Sequence, residues 1–260
     1  VTGGMGKRMI LKISLSDHSL SDVQLCFNAS TQEQFLTKSG SRIQQEANVY
    51  QRCFPQRIQN WDGYDLELKF QRSLNLAQVQ FDPQDLPALM LDVLQDLKKI
   101  HHMGLLHLDL KPQNIVIQAN GEASLIDFGF SQSIGFSYQS KPAASLAYAA
   151  PEQIACEAMQ ANTDIYALGC VLYFTLTQKV YQSGDSLEAL PVLWTKLLHR
   201  MLTLDSSLRA DLEEVEEHLE LMPIQRPDMT TACEAYFMDM FLSKWKQNHQ
   251  RIEWAQWAFH

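Results

Sequence analysis

The sequence predicts an α+β fold, with strands early in the chain, helices late in the chain and a short β-hairpin between them. A short apolar run at 22–27, DVQLCF, is typical of a strand, whereas 82–104 and 163–178 are long apolar segments of helical character. Between these parts, the runs IVI and SLID flank the Asn-Gly pair at 120–121, which is a common hairpin turn. Strand signals followed by helix signals predict two structural units and exclude one continuous parallel sheet.

The composition limits the classes of protein to which the chain can belong. The chain has 260 residues, 46% hydrophobic and 20% charged, which suits one large domain or two small lobes. The net charge of −9 argues against a nucleic-acid partner, because phosphates demand a basic surface. Its five cysteines show no metal-binding spacing, which predicts a reducing, cytoplasmic setting. We expect no transmembrane segment in this chain, because no apolar run reaches the required length.

The first 70 residues predict the small unit. Residues 1–13, VTGGMGKRMILKI, join a Gly-rich turn to an apolar strand, a pattern that can lay backbone amides against phosphates. Residues 41–53 predict an amphipathic helix with Ile43, Ala47 and Tyr50 on one face. Residues 61–77 predict a strand pair with a hinge.

The remaining elements are mainly helical. Residues 82–104 predict a core helix that Gly104 stops. Residues 130–152 are Ser-rich and predict a loop. The segment 163–178 is almost wholly apolar and must be buried, with Thr163 or Asp164 as its candidate N-cap. A further helix is expected at 193–204.

Three polar side chains are associated with the predicted hairpin. Asp109 precedes it, Asn114 opens its first strand, and Asp127 ends its second strand. The hairpin should bring Asn114 and Asp127 to the same end. Carboxylate and amide oxygens suit Mg²⁺, which keeps substrate phosphates in its coordination shell. A carboxylate not needed by the metal could orient a hydroxyl for attack, so the set predicts phosphoryl transfer.

This stretch resembles the catalytic core of the eukaryotic-like (Hanks-type) bacterial Ser/Thr protein kinases. The family pattern H-R-D-L-K-P-x-N followed by D-F-G is matched by His107-Leu108-Asp109-Leu110-Lys111-Pro112-Gln113-Asn114 and Asp127-Phe128-Gly129. Its A-P-E motif is matched by Ala150-Pro151-Glu152. The resemblance covers roughly residues 1–220 and implies a two-lobed protein-kinase-like fold. It implies a small antiparallel-sheet lobe over 1–70, a larger, mainly helical lobe over 71–222 and a C-terminal helical extension over 223–260.

The resemblance also implies ATP and Mg²⁺ as cofactors, a protein substrate and a role for each matched residue. Asp109 would orient the substrate hydroxyl, Lys111 would neutralise charge on the transferred group, and Asn114 and Asp127 would hold Mg²⁺. Asp164 would support the catalytic-loop backbone. The remaining implied features are an ion pair of Arg209 with Glu152, a hydroxyl from Ser145 near the catalytic residues, and Leu108 in place of the Arg that receives an activation-loop phosphate.

In the small lobe the resemblance is weaker. Gly3, Gly4 and Gly6 resemble the bacterial Gly-rich loop, with Val1 in place of its first Gly, so we expect a small lobe that is incomplete at its start. Glu46 matches the helix acid whose lysine partner lies about 20 residues earlier, which leads to Cys26.

We therefore expect a relocated lysine, as in the with-no-lysine kinases. Lys12 is favoured over Lys7, because strand alternation should turn Lys12 toward the nucleotide. The resemblance places Leu68 beside the adenine pocket, with backbone groups of Lys69 and Phe70 at the adenine edge.

The sequence leaves three functions open. A Ser/Thr kinase is favoured, since tyrosine kinases lack a lysine at the position of Lys111. A pseudokinase that binds or scaffolds is the alternative, because the strand lysine is missing and Arg8 and Gln24 are polar where the family is apolar. Small-molecule kinases of the aminoglycoside type share H-x-D-x-x-x-x-N, but Lys111, D-F-G and A-P-E argue against them.

An aromatic stripe marks the C-terminal extension. Phe237, Phe241 and Trp245 recur at helical spacing, and Trp254 and Trp257 follow. We expect this stripe to pack on the large lobe. Contact with a partner or a membrane surface is the alternative.

Overall fold

The computed structural model describes residues 10–15, 21–28, 31–140 and 146–248. The chain divides into two compact units, one within Val1–Gln71 and Leu242–His260 and the other formed by Arg72–Phe241. Among the described residues, no helix is both long enough and apolar enough to span a membrane.

The first unit contains a five-stranded antiparallel sheet. Its strands, in the spatial order β1-β2-β3-β5-β4, are β1 (Ile10–Ser14), β2 (Ser21–Asn28), β3 (Gln34–Gly40), β4 (Ile58–Trp61) and β5 (Leu66–Lys69). Directly opposed residues of antiparallel strands share a face. The register therefore places Val23, Lys38 and Leu66 on one face of the sheet, and Lys12 and Cys26 on the other.

Helix α1 (Ile43–Cys53) follows β3 after only two residues, Ser41 and Arg42. Its predicted apolar face is confirmed, because Ile43, Ala47 and Tyr50 are all buried. The short connection fixes the start of α1 beside the end of β3. The position of Glu46, in the first turn of α1, therefore depends on this connection.

The second unit is mainly helical. Its helices are α2 (Leu86–His102), α3 (Pro151–Ile154), α4 (Ala161–Thr177), α5 (Val192–Met201), α6 (Leu212–Glu220) and α7 (Thr230–Asn248). Helix α7 continues beyond Phe241, the last residue of the second unit. The core helices α2 and α4 confirm the predictions for 82–104 and 163–178, and Gly104 follows α2 with a φ of 72°. Ten leucine, isoleucine and valine side chains of these two helices are at most 1% exposed.

Neither of the two residues predicted as the N-cap of α4, Thr163 and Asp164, is the N-cap. Gln160 is the N-cap, and its side chain and that of Thr163 bond reciprocally to each other's backbone amides. Thr163 Oγ1 accepts from the Gln160 amide at 3.1 Å. Asp164 is thereby left out of the cap, and its carboxylate is used elsewhere.

Short strands complete the second unit. They are β6 (Ser73–Asn75), β7 (Leu105–Leu106), β8 (Ile115–Gln118), β9 (Ala123–Leu125) and β10 (Gln132–Ser133). Strands β6, β8 and β9 form one antiparallel sheet, and β7 pairs with β10. The strand pair predicted from Trp61 onward is found as β4 and β5, with Trp61 opposite Leu66, although β4 begins earlier than predicted, at Ile58. Strand β6 pairs with β8 instead.

The hairpin predicted around the Asn-Gly pair is confirmed as β8–β9. Gly121 has a φ of 79°, a conformation that glycine adopts without steric cost. Its amide donates to the Gln118 carbonyl at 2.9 Å and closes the turn. Asn114 and Asp127 flank the opposite end of this hairpin.

The first part of the predicted aromatic stripe packs in the second unit. Phe237 and Phe241 are buried, with ring centroids 6.4 Å apart, and the Arg72 guanidinium lies over the Phe237 ring. The side chain of Trp245, and all of Trp254 and Trp257, lie outside the described residues.

Candidate active site

The candidate catalytic loop, His107–Asn114, is held by the carboxylate of Asp164. Its two oxygens accept hydrogen bonds from the backbone amides of His107 and Leu108, each at 2.9 Å. His101 Nε2 lies 2.8 Å from the same carboxylate. Burial alone would raise the pKa of Asp164, but the hydrogen bond and charge of His101 and the bond from His107 hold it below the ordinary value. An ionised carboxylate thus fixes the loop, as the resemblance implies.

Leu108 and Asp127 both have a φ of 63°, which is rare for residues other than glycine. Such backbone conformations persist only where the surroundings over-determine them, and they cluster at functional sites. Here the Asp164 bonds hold Leu108. A hydrogen bond from the Ile126 amide to the Asn114 carbonyl, at 3.0 Å, holds the segment that leads to Asp127.

Asp109, Lys111 and Asn114 form one hydrogen-bonded group. Lys111 Nζ lies 2.7 Å from Asp109 Oδ2, and Asn114 Nδ2 donates to the Asp109 carbonyl at 2.8 Å and to Oδ2 at 3.1 Å. A backbone carbonyl can only accept, so the NH₂ group of Asn114 must face Asp109. Its Oδ1 atom therefore points away from Asp109, as an oxygen ligand would.

The Asp-Phe-Gly segment lies against the catalytic loop. His107 Nε2 donates to the Ile126 carbonyl at 3.3 Å, and His107 Nδ1 accepts from the Asp109 amide at 3.3 Å, which places the ring proton on Nε2. The His107 ring also makes an edge contact with the buried Phe128 ring at 5.3 Å. His107 thus joins the backbone of Asp109 to the residue before Asp127.

In the first unit, Glu46 has a lysine partner in the neighbouring strand. Lys38 Nζ of β3 lies 2.5 Å from Glu46 Oε1 of α1, and both side chains are buried. The prediction that Cys26 replaces this lysine is wrong. Counting back about 20 residues assumes a longer strand-to-helix connection than the two residues present. Cys26 lies in β2, with Sγ 3.2 Å from Thr37 Oγ1.

The role predicted for Lys12 as partner of Glu46 is also wrong. Lys12 lies opposite Cys26 on the face of the sheet that is turned away from Lys38, and it is exposed. Lys38 was not predicted from the sequence, although the β-type run QFLTK, which ends in this lysine, precedes the amphipathic helix by only a few residues and could have indicated it.

The other residues predicted for the small lobe are placed only in part. Leu68 is buried and lies directly opposite Leu36, on the same face as Lys38. Lys69 ends β5, and Phe70 follows it. Gly3, Gly4, Gly6, Lys7 and Arg8 lie outside the described residues, as does Ser145 in the second unit.

Leu108 belongs to an apolar cluster. It packs with Leu106 and Met159, and the half-buried rings of Phe136 and Tyr138 lie against these residues. The Gly135 amide donates to the Met159 carbonyl at 2.8 Å, and the Met159 amide donates to the Phe136 carbonyl at 3.0 Å. The loop after β10 is thus joined to the catalytic loop by apolar packing at the position where the family has arginine.

Glu152 and Arg209 form a buried bidentate ion pair, as the resemblance implies. The guanidinium nitrogens lie 2.6 Å and 3.0 Å from the two carboxylate oxygens. Burial by itself would raise the pKa of Glu152, but the hydrogen bonds and charge of Arg209 outweigh it and hold the pKa below the ordinary value. Nearby, Gln153 Nε2 donates to the Leu108 carbonyl at 2.9 Å, a contact that sequence analysis did not foresee.

Comparison with known proteins decides the family. The family model described as "protein kinase domain" matches residues 64–237, which is more than half of the chain. The chain belongs to the protein kinase domain family. The two-lobed α+β fold inferred from the resemblance is therefore confirmed, and the matched range extends past residue 220 into α7.

Curated relatives of this kinase domain include bacterial and animal proteins. It is 38% identical over 112 residues to the probable serine/threonine-protein kinase PknB of Bifidobacterium longum, a match covering 41% of the chain and 16% of that relative. It is 36% identical over 108 residues to serine/threonine-protein kinase PknB of Mycobacterium leprae, covering 40% and 17%. Stress-activated protein kinase jnk-1 of Caenorhabditis elegans is 26% identical over 161 residues, covering 61% and 34%. The matches thus span about a sixth of the length of the PknB relatives.

Proposed function

We propose that this kinase domain is catalytically active and transfers the γ-phosphate of ATP to a serine or threonine hydroxyl of a protein. The observation that carries the proposal is the buried Lys38–Glu46 ion pair. In protein kinases the corresponding lysine and helix glutamate must both be in place for catalysis. The main argument for a pseudokinase was the absence of this lysine, and that argument no longer applies.

In the proposed reaction, Asp109 acts on the nucleophile. Its carboxylate accepts a hydrogen bond from the substrate hydroxyl, whose oxygen then forms a bond to the γ-phosphorus. The bond from that phosphorus to the bridging oxygen breaks, and ADP leaves with the bonding electrons while the hydroxyl proton passes to Asp109. Lys111, 2.7 Å from Asp109, supplies positive charge to the transferred group.

Asn114 and Asp127 are the proposed ligands of Mg²⁺. They supply one amide oxygen and one carboxylate, a donor set that fits a hard cation sharing its shell with phosphates. The orientation of Asn114 supports this fit, because its NH₂ group is engaged by Asp109 and its Oδ1 atom is directed elsewhere. Bound Mg²⁺ would neutralise negative charge on the ATP phosphates.

Lys38 is the proposed phosphate-contacting cation, with Glu46 fixing its side chain. Leu68, Lys69 and Phe70 stay proposed contacts of the adenine, and the part of Gly3, Gly4 and Gly6 in binding phosphates stays a prediction from the sequence. We also propose a cytoplasmic setting, since none of the five cysteines, all of which the structure describes, forms a disulfide bond. A partner contact at the C-terminal aromatic residues also stays a prediction from the sequence.

The test is phosphate transfer from γ-labelled ATP to a generic protein substrate, followed by identification of the labelled amino acid. The expected result is label on serine or threonine, with most of it lost in Asp109→Asn while ADP affinity is retained. Asp239→Asn, on the exposed face of α7, is the control. A folded protein that binds ADP and transfers no label to any protein or to itself would establish the pseudokinase alternative.

A further inference from the structure

A segment near the end of the second unit lies along the β8–β9 hairpin; we name this segment, Arg226–Cys233, the brace. The Met229 amide donates to the Ala119 carbonyl at 3.0 Å, and Cys233 Sγ lies 3.7 Å from the Ile117 carbonyl. The brace therefore bonds to the backbone of the hairpin that carries Asn114 at its start and Asp127 just after its end. These backbone contacts make the brace a direct neighbour of the proposed metal-binding hairpin.

Arg226 makes the charged contact of the brace. Its two terminal nitrogens lie 2.6 Å and 2.8 Å from the two carboxylate oxygens of Asp92 on α2. Asp92 Oδ2 also accepts from the Ala123 amide at 3.0 Å, at the first residue of β9. One carboxylate thus joins the brace, the helix and the strand, and Arg226 orients that carboxylate toward the strand.

The turn of the hairpin closely fits the brace. A Cβ atom added at Gly121 would lie 2.1 Å from the Pro227 carbonyl oxygen, which no real structure tolerates without movement. The backbone of the turn therefore passes directly against the backbone of the brace. This close approach, in addition to the φ of 79°, requires glycine at position 121.

The same hairpin is tied along its length to the catalytic residues. Asp96 Oδ2 on α2 accepts from the Leu125 amide at 3.1 Å, two residues beyond the Asp92 contact. The next amide, that of Ile126, donates to the Asn114 carbonyl. A shift of β9 at Ala123 would therefore be transmitted through Leu125 and Ile126 to Asn114 and Asp127.

We propose that Arg226 is a positioning residue, which acts through Asp92 to hold β9 so that Asn114 and Asp127 keep the arrangement that binds Mg²⁺. The inference deepens the proposed function and rests on its assignment of those two residues as metal ligands. Arg226 touches neither the metal nor the substrate. Its effect is on the geometry of the hairpin.

Two pairs of matched variants test the proposal. Arg226→Gln is compared with Arg200→Gln, because Arg200 forms a similar bidentate pair with Glu214 between α5 and α6. Gly121→Ala is compared with Gly184→Ala, because Gly184 also has a positive φ, of 100°, but no atom lies within 4 Å of an added Cβ. Both arginine variants lose an ion pair, and both glycine variants strain the backbone. Only the first variant of each pair also disturbs the brace.

Two measurements apply to every variant. The first is hydrogen exchange of the amides of Ala123, Leu125 and Ile126, which reports opening of the hairpin. The second is calorimetric titration of Mg²⁺ into the ADP-bound protein. We expect Arg226→Gln and Gly121→Ala to speed the exchange and to weaken Mg²⁺ binding by about threefold to tenfold, below the range typical of residues that contact a metal ligand directly. The two controls should leave both quantities unchanged.

The outcomes separate this inference from the proposed function. If Arg226→Gln matches Arg200→Gln in exchange and in Mg²⁺ affinity, the positioning role is refuted, whether or not the wild type transfers phosphate. If Mg²⁺ affinity falls in the brace variants while the wild type transfers no phosphate, the positioning role stands and the catalytic proposal fails. Should Gly121→Ala not fold, the Arg226→Gln comparison alone decides.

Discussion

Lys38 and Glu46 form a buried ion pair although they are only eight residues apart in the sequence. The pair is possible because only two residues separate the end of β3 from the start of α1, so the last residues of the strand and the first turn of the helix are neighbours. The lysine side chain shares a sheet face with Val23 and Leu66. Burying either charge without its counter-ion would destabilise the fold, so Lys38 and Glu46 each depend on the other.

The position of Asp127 beside the end of the β8–β9 hairpin leads to a prediction about Mg²⁺ binding. Asp127→Ala should abolish Mg²⁺-dependent transfer, while binding of ADP without metal should persist, because the removed carboxylate is proposed to bind the ion and not the nucleoside. Transfer and ADP affinity are measured with and without Mg²⁺, with Asp239→Ala as the control on an exposed helix face. Near-normal transfer by Asp127→Ala would show that its role is misassigned.

The apolar cluster around Leu108 gives a prediction about regulation. Because Leu108 packs on Met159 in place of an arginine, a phosphate on residues 131–145 has no basic partner from that position. Treatment with a phosphatase should therefore leave activity largely intact. A large loss would show that another basic residue, such as Lys141 or Arg42, binds a phosphate.

A substitution tests the same cluster directly. Leu108→Arg should destabilise the fold by at least about 2 kcal/mol, because it buries a charge among apolar side chains. Leu108→Met, of similar volume and polarity, should cost less than about 1.5 kcal/mol. Denaturant unfolding of the two variants measures the difference. Equal stability would mean that the side chain at 108 can reach solvent or an acidic partner.

The Glu152–Arg209 pair predicts how stability depends on pH. The pKa of Glu152 is lowered in the folded state, so its contribution is present above the ordinary value of 4.5 and is lost as the pH falls through the lower folded value. Glu152→Gln should cost about 3 kcal/mol or more at pH 7, because it leaves Arg209 buried without its counter-ion.

The deficit of Glu152→Gln relative to wild type should shrink as the pH falls below 4.5. Thermal unfolding from neutral to acidic pH measures this change, and Glu214→Gln, in an exposed pair, is the control. A deficit that stays constant with pH would contradict the assignment of an ionised Glu152.

The sequence predicts features whose determinants are local. The β8–β9 hairpin, the α4 helix and the Asp109–Asn114–Asp127 set follow from a turn pair, from an almost wholly apolar run and from two short motifs. The lysine partner of Glu46 was missed because it depends on the length of a connection, which spacing borrowed from other kinases cannot supply. The brace contacts were also missed, since Arg226 and Asp92 are 134 residues apart and neither belongs to a motif.

The most direct test of the central claim compares Lys38→Met with Lys12→Met in transfer of labelled phosphate from ATP to a protein. Both variants remove one lysine from the same sheet, but only Lys38 pairs with Glu46. We expect Lys38→Met to lower transfer by about a hundredfold or more, while Lys12→Met stays near wild type. Full activity of Lys38→Met, or loss of activity only in Lys12→Met, would show that the Lys38–Glu46 pair does not serve catalysis.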